Sequence, residues 1–393
     1  MVTITEYNPF APEVKENPYP YYDWLRREYP VYYHPRLDFW VLSRYADVAA
    51  AGRDHETFSS AQGIGPDRMT LPTMITTDPP DHTRLRKLVS KAFTPRMIEQ
   101  SAPRIQATVD ALIDAVMAQG RFDLMQDLAF PLPVIVIAEM LGVEPERRED
   151  FKRWSQDVIG ITAGVAHGHD QAQYLRSWEE FKAYVSETIA MRRRAPRDDL
   201  ITALVKAQDE REALIRSEIL NFILLLLVAG NETTTNLIGN GALALFTHPE
   251  QGQKLHQRPE LVPSMVEEVL RYDSPIQSVF RTTTRAVEVH GTLIPADSKV
   301  ALLWGAANRD PAEFPTPDCF DIERLPNRHM AFGMGIHFCL GAPLARLEGR
   351  ITIETLLRRM PHLSPDPHGM LVRVDNPQFR GLKHFPLVFE PAS

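Results

Sequence analysis

Cysteine is nearly missing from this chain: Cys319 and Cys339 are the two in 393 residues. A disulfide framework in a secreted protein of this size uses more, so a reducing cytoplasm is the simpler compartment. Long apolar runs are scarce too. The longest, Ile219 to Gly230, is interrupted by Asn221 and falls short of the ~20 residues that span a bilayer. The opening stretch MVTITEYNPFAPEV has neither the basic nor the apolar region of a signal peptide, so neither a targeting segment nor a membrane is expected. Positive charge is not in surplus: the net charge is −8, which argues against nucleic acid as a partner. No period of roughly 20 to 50 residues repeats and no segment is low in complexity, which excludes solenoids and propellers. Gly63-Ile64-Gly65 lacks the third glycine and the strand-to-helix setting of a dinucleotide fingerprint.

Proline is what the chain has in excess. Its 32 residues are about 8% against a usual ~5%, and predict many rigid turns between helices. The first 60 residues read as proline-rich turns with short strand-like pieces such as Phe39 to Leu42. Helical periodicity dominates from Asp81 to about Leu270, over Pro95–Ala118, Phe130–Leu141, Gln173–Arg194, Ile215–Thr247 and Val262–Tyr272. Strand-like sequence with a His290-Gly291 turn returns from Val279 to Ala301. An irregular, proline-rich stretch from Asn308 to Arg328 then leads to a glycine-rich segment and a helix from Ala342 to Met360. The fold class expected is mainly α with a smaller β portion.

The segment Ser217 to Thr247 is apolar nearly all round, as befits a helix through the centre of a large domain. A polar island, Ala229-Gly230-Asn231-Glu232-Thr233-Thr234-Thr235-Asn236, interrupts it. Either the hydroxyls bond back to their own helix, or a kink opens space beside a carboxylate and a hydroxyl. Asn231-Glu232-Thr233 matches a glycosylation sequon, but its expected burial makes that match false. His167-Gly168-His169 reads as a loop between helices rather than a metal pair, and Met191 to Arg194 as a basic helix end.

The most specific segment runs Phe332-Gly333-Met334-Gly335-Ile336-His337-Phe338-Cys339-Leu340-Gly341, with Pro343 in a first helical turn. It presents a cysteine at a helix N-terminus, where backbone N–H groups favour a thiolate and glycines let a flat ligand approach. Zinc fails by ligand count. A cysteine nucleophile would need a base, and His337 is two residues away. An iron ligand needs one thiolate only.

The pattern F-G-x-G-x-H-x-C-x-G at Phe332 to Gly341 resembles the haem loop of the cytochrome P-450 family. Further matches follow the family's order: Ala229 to Thr233 resembles its acid–alcohol motif, Glu268-Val269-Leu270-Arg271 its E-x-x-R helix, and Ala307 to Pro311 with Pro317 to Asp321 its meander. Together they span most of the chain from Asp81 onward. The resemblance implies the cytochrome P-450 fold, a single catalytic domain over 1–393 with a helix-rich and a β-rich lobe, and a long central helix over a haem. It implies haem b with Cys339 as axial thiolate, His82, Arg86, Arg281 and His337 on the propionates, and Ala229, Phe332, Gly333 and Gly341 around the macrocycle. Arg84 would point away. Glu268 and Arg271, alone an ordinary surface pair, would be buried with Arg324 as structural support for the haem loop.

The implied activity is a soluble bacterial-type monooxygenase that inserts one atom of dioxygen into a hydrophobic organic substrate. Thr233 would hold dioxygen by a hydrogen bond and Glu232 would relay protons. Glutamate stands where many relatives carry aspartate. No flavin or nicotinamide segment is evident, so electrons would come from a separate ferredoxin and ferredoxin reductase, with Lys87, Lys91, Arg346 and Arg350 as basic contacts. Gly63 to Thr77, Leu226, Ala229, Pro275 to Phe280 and the chain near Phe379 would line the pocket. Rival readings are a peroxide-driven peroxygenase of the same fold, a non-catalytic haem sensor or carrier, and a cysteine hydrolase.

Overall fold

The computed structural model describes residues 4–68, 73–162, 171–207 and 213–390. His167-Gly168-His169 lies outside them. The helical region is built around Arg216–Thr247 (α6), 32 residues and so about 48 Å long at ~1.5 Å per residue. Its first turn is closed by Glu218, whose carboxylate accepts from the Ile215 amide at 2.9 Å. Asp81–Ala92 (α1), Ala102–Asp114 (α2), Pro131–Leu141 (α3), Arg148–Thr162 (α4) and Gln171–Arg194 (α5) precede it; Val262–Tyr272 (α7) and Ala342–Arg359 (α8) follow. α6 packs against α3, α4, α5, α7 and α8, which explains an apolar surface on every side. Leu124–Leu141 and Arg216–Thr247 are apolar and long enough to cross a membrane, although Ile219 to Gly230 alone is not. Within the fold, 67% and 61% of these two windows are buried.

The polar island stays helical throughout. Thr233 Oγ donates back to the Ala229 carbonyl at 2.8 Å, which favours the first of the two readings there; Thr235 Oγ donates outside the helix to Ala129 O at 3.1 Å, and Asn231 Nδ2 and Asn236 Nδ2 have no partner among the described residues. Asn231, the sequon residue, is fully buried.

The β portion centres on a five-stranded sheet of Val31–His34 (β1), Phe39–Leu42 (β2), Phe58–Ser59 (β3), Val279–Thr283 (β4) and Lys299–Leu302 (β5), in the order β1-β2-β5-β4-β3. β2 and β5 run parallel with Trp40 opposite Val300, and β4 pairs antiparallel with Arg281 opposite Val300. The intervening hairpin turns at His290 and Gly291, both at positive φ.

Two expectations need correction, and proline opens every helix concerned except Tyr45–Arg53. The first 60 residues hold three helices, Pro12–Glu16, Tyr19–Glu28 and Tyr45–Arg53. Pro12 and Pro20 sit inside first helical turns, where a missing N–H costs nothing. Pro95–Ala118 is no single helix: Pro95–Gln100 ends at Ser101, and α2 begins anew with Pro103 in its first turn, since proline cannot donate into a preceding turn. Phe130–Leu141 begins as helix at Pro131, after a π-helical turn over Leu124–Ala129.

Candidate active site

The glycines of the cysteine loop set its path. Gly333 and Gly335 lie at φ +74° and +64°, in the left-handed region that side chains avoid. A Cβ on Gly335 would lie 2.7 Å from the Gly52 carbonyl, and one on Gly333 would lie 3.2 Å from the Trp304 ring. Cys339 N donates to Phe332 O at 2.8 Å and closes the loop just before α8. Arg86, reaching from α1, donates to Phe338 O at 2.8 Å and fastens it.

One cavity of ≈ 210 Å³ joins this loop to the central helix. Cys339, Leu340, Gly341, Phe332, Ala229 and Thr233 are in its wall. The remainder is largely apolar, with Ile64, Met74, Phe222, Leu226, Ile276 and Val279 among the lining residues. Of the pocket segments expected, Pro275, Ile276 and Val279 line the cavity; Phe280 packs against Phe39 instead, and Phe379 pairs with Ile276 through the backbone. Glu232 is not a lining residue. Burial pushes its carboxyl up to about 7.

Burial also raises the Cys339 thiol, against the opposite pull of the Gly341 and Ala342 amides and of Arg86 and Arg346. The amides at the helix N-terminus thus favour the thiolate, as the sequence leads one to expect, and burial outweighs them. His337 is no base for it: its Nε2 lies 3.1 Å from Ser60 Oγ, and its ring packs edge-on to His82 at 4.4 Å. Cys319 is exposed.

Beside the thiol, His82 and Arg86 from α1, Arg281 from β4 and His337 form a group of potential cations held against their charge. Burial and the neighbouring cations Arg281, His82 and Arg86 push His337 down to about 3, and burial brings Arg281 down to about 10. His82 is lowered by burial and Arg86, and neither of its ring nitrogens has a partner among the described residues. Asp78 offsets His82 and Arg281 in part, but that carboxylate already accepts from Ser59 and from the Ser60 amide. Such a site is short of buried negative charge.

Behind the loop, Glu268 and Arg271 are fully buried and are not a surface pair. Arg271 grips Glu268 through two bonds of 2.8 Å and donates to the carbonyls of Asn308, Pro317 and Cys319. Arg324 Nε donates to Glu268 Oε1 at 3.1 Å, while Nη1 donates to the carbonyl of Pro315 and Nη2 to those of Thr316 and Cys319. Arg84 points away from the cavity to Glu218. Arg346 is engaged by Glu267 and lies over the Phe332 ring at 4.5 Å, so its charge is partly committed. Burial alone would raise Glu267, yet hydrogen bonds from Arg346 and His329 hold it down to about 2.

Sequence reasoning missed Glu348. It lies in the cavity wall on α8, almost fully buried. Burial raises its carboxyl to about 8 despite a bond from Thr234, and Oε1 has no partner among the described residues. The signal was there: Glu348 stands four after Leu344 and three before Ile351, an acid inside an apolar helical stripe.

The profile of the Cytochrome P450 family matches residues 7–379.

This chain is a cytochrome P450. It resembles the solved structure of cytochrome P450 CYP109Q5 from Chondromyces apiculatus, with a TM-score of 0.90 and 44% identity over 98% of both chains. CYP109E1 from Bacillus megaterium, solved in complex with testosterone, gives a TM-score of 0.89 at 36% identity over 95% of this chain and 99% of the other. Among curated proteins, a steroid C26-monooxygenase of Mycobacterium tuberculosis is 39% identical, over 94% of this chain and 93% of its own. Cytochromes P450 are haem-thiolate monooxygenases with a cysteine as axial ligand, and the residues here fit haem b. Cys339 supplies a thiol in the cavity wall, while the group short of negative charge beside it suits the two propionates.

Proposed function

We propose that this cytochrome P450, one catalytic domain over residues 1–393, inserts one atom of dioxygen into a hydrophobic organic substrate in the cytoplasm. We further propose that a separate ferredoxin and its reductase deliver the electrons. The observation that carries the reading is a single cavity walled by both Cys339 and Thr233 and otherwise largely apolar. Haem held by a thiolate supplies the electron density that favours O–O cleavage.

The chain's own residues do the rest. His82, Arg86, Arg281 and His337 would bind the propionates, which would add the negative charge that Asp78 supplies only in part. Ala229, Phe332, Gly333 and Gly341 leave a flat ligand room, and a Cβ on Gly341 would meet nothing nearer than Cys339 Sγ at 3.8 Å. Glu268, Arg271 and Arg324 hold the meander behind the loop. Thr233 Oγ donates to Ala229 O, and its remaining lone pair would accept a hydrogen bond from a protonated group in the cavity. Glu232, near 7, takes up and releases a proton at neutral pH. Electrons enter from the Cys339 side, where Lys87 and Lys91 are exposed and Arg350 adds charge. One relative named for steroids and another solved with testosterone make that class the first to screen.

Reduction under carbon monoxide tests the ligand: the long-wavelength band of thiolate haem supports Cys339, and its absence from undamaged protein overturns the assignment. Thr233→Ala should keep consuming electrons while product falls about tenfold or more, the scale of a lost hydrogen bond. Fully coupled turnover in that variant removes Thr233 from the mechanism.

A further inference from the structure

Lys299 opens β5, and a lysine there is out of place: the strand is buried along its whole length and Lys299 is 5% exposed. A buried ammonium needs partners for its three protons. Here all are main-chain carbonyls of one loop: Gln62 at 2.8 Å, Gly63 at 3.2 Å and Gly65 at 3.2 Å. Gly63 lies at φ +91°, which helps to turn neighbouring carbonyls toward one point. The carbonyl between them, Ile64 O, accepts instead from Phe280 N at 2.9 Å and Gln378 Nε2 at 3.0 Å. The Ile64 backbone is thus gripped from two directions, and Ile64 lines the cavity. The Gly63-Ile64-Gly65 sequence, no dinucleotide fingerprint, is a loop held by its main chain.

We propose that Lys299 is a positioning residue for substrate, fixing Ile64 in the cavity wall through the three carbonyls. The inference rests on the reading of this cavity as the substrate pocket of a haem enzyme. Lys299 lies outside the haem-holding group and outside the cavity wall, so it acts only through the loop. The charged groups acting on it are Arg68 and Asp67 from the loop and Arg281 from β4. Arg68 is itself tied to Asp297 at 2.6 Å. Burial, then Arg68, brings the ammonium down to about 8. Above that pH the neutral amine retains two protons for three carbonyls, and the grip loosens.

Two nitrogen ligands of haem iron separate the possibilities in the holoenzyme: imidazole, which reaches the iron without filling the pocket, and 4-phenylimidazole, whose ring occupies it. Lys299→Met should weaken 4-phenylimidazole by roughly tenfold, as expected for a lost charged hydrogen bond, and change imidazole by less than about twofold. Amide exchange should quicken at 62–68. Lys299→Arg, charged at every accessible pH, should keep the tight binding and abolish the weakening that the native enzyme undergoes above about pH 8. This variant also carries the test if Lys299→Met does not fold. Glu348 titrates in the same range, and a pH response that persists in Lys299→Arg would assign it there and overturn the proposal. Equal loss of both ligands in Lys299→Met, or no loss of either, overturns it as well. If the native enzyme shows no spectral shift with imidazole, the haem reading itself fails and the inference falls with it.

Discussion

Glu348 is an acid kept neutral by its surroundings. Its carboxyl sits near 8 when folded against an ordinary 4.5, so between these values the unfolded chain has released a proton that the folded chain retains. Stability fully present below about pH 4.5 is therefore drawn down as pH rises through 8. Glu348→Gln cannot ionise and keeps a partner for Thr234. Its melting temperature relative to the native protein should climb from pH 4.5 to 8 and then level off, reaching on the order of a few kcal/mol in stability. A difference that does not change with pH would mean that Glu348 ionises normally.

At the scale of elements, α7 and the meander are joined through one carboxylate. Besides Arg271 and Arg324, Glu268 accepts from the Asp321 amide at 2.9 Å and from Asn327 Nδ2 at 3.1 Å. Removing it strands a buried arginine, a loss of roughly 3–5 kcal/mol. Glu268→Ala should accordingly fail to retain haem or melt far lower, and a thermal scan with the haem absorbance recorded alongside checks both. Near-native melting would reduce the cluster to decoration. The elements themselves were unevenly legible. Apolar periodicity marked α6 and α7 because packing on each side demands it. The helices Pro12–Glu16 and Tyr19–Glu28 were hidden, because proline reads alike in a turn and in the first turn of a helix. Glu268 and Arg271 matched a motif, but their burial depends on carbonyls about 40 to 50 residues away, which local pattern does not encode.

For the whole molecule, α1, β4 and the cysteine loop meet at a site short of buried negative charge, which the proposed haem would supply. His82, Arg86, Arg281 and His337 come from a helix, a strand and a loop far apart in sequence, so spacing linked only His82 to Arg86 on one helical face, and the family resemblance alone joined Arg281 and His337 to them. Extracting haem should lower the melting temperature. Arg281→Met should raise that of the apoprotein by a few degrees while weakening haem retention, because a buried charge without its anion costs stability. A lower apoprotein melting temperature in the variant would show that Arg281 already has its counter-charge. The loop at Gly63 to Gly65 adds a different kind of consequence. Lys299, Gln378 and the Phe280 amide hold it by main-chain oxygens alone, and every residue type carries that atom. Position 64 can therefore be recoded without rewriting its supports, which makes it a natural place for a lineage, or a designer, to exchange one oxidised molecule for another.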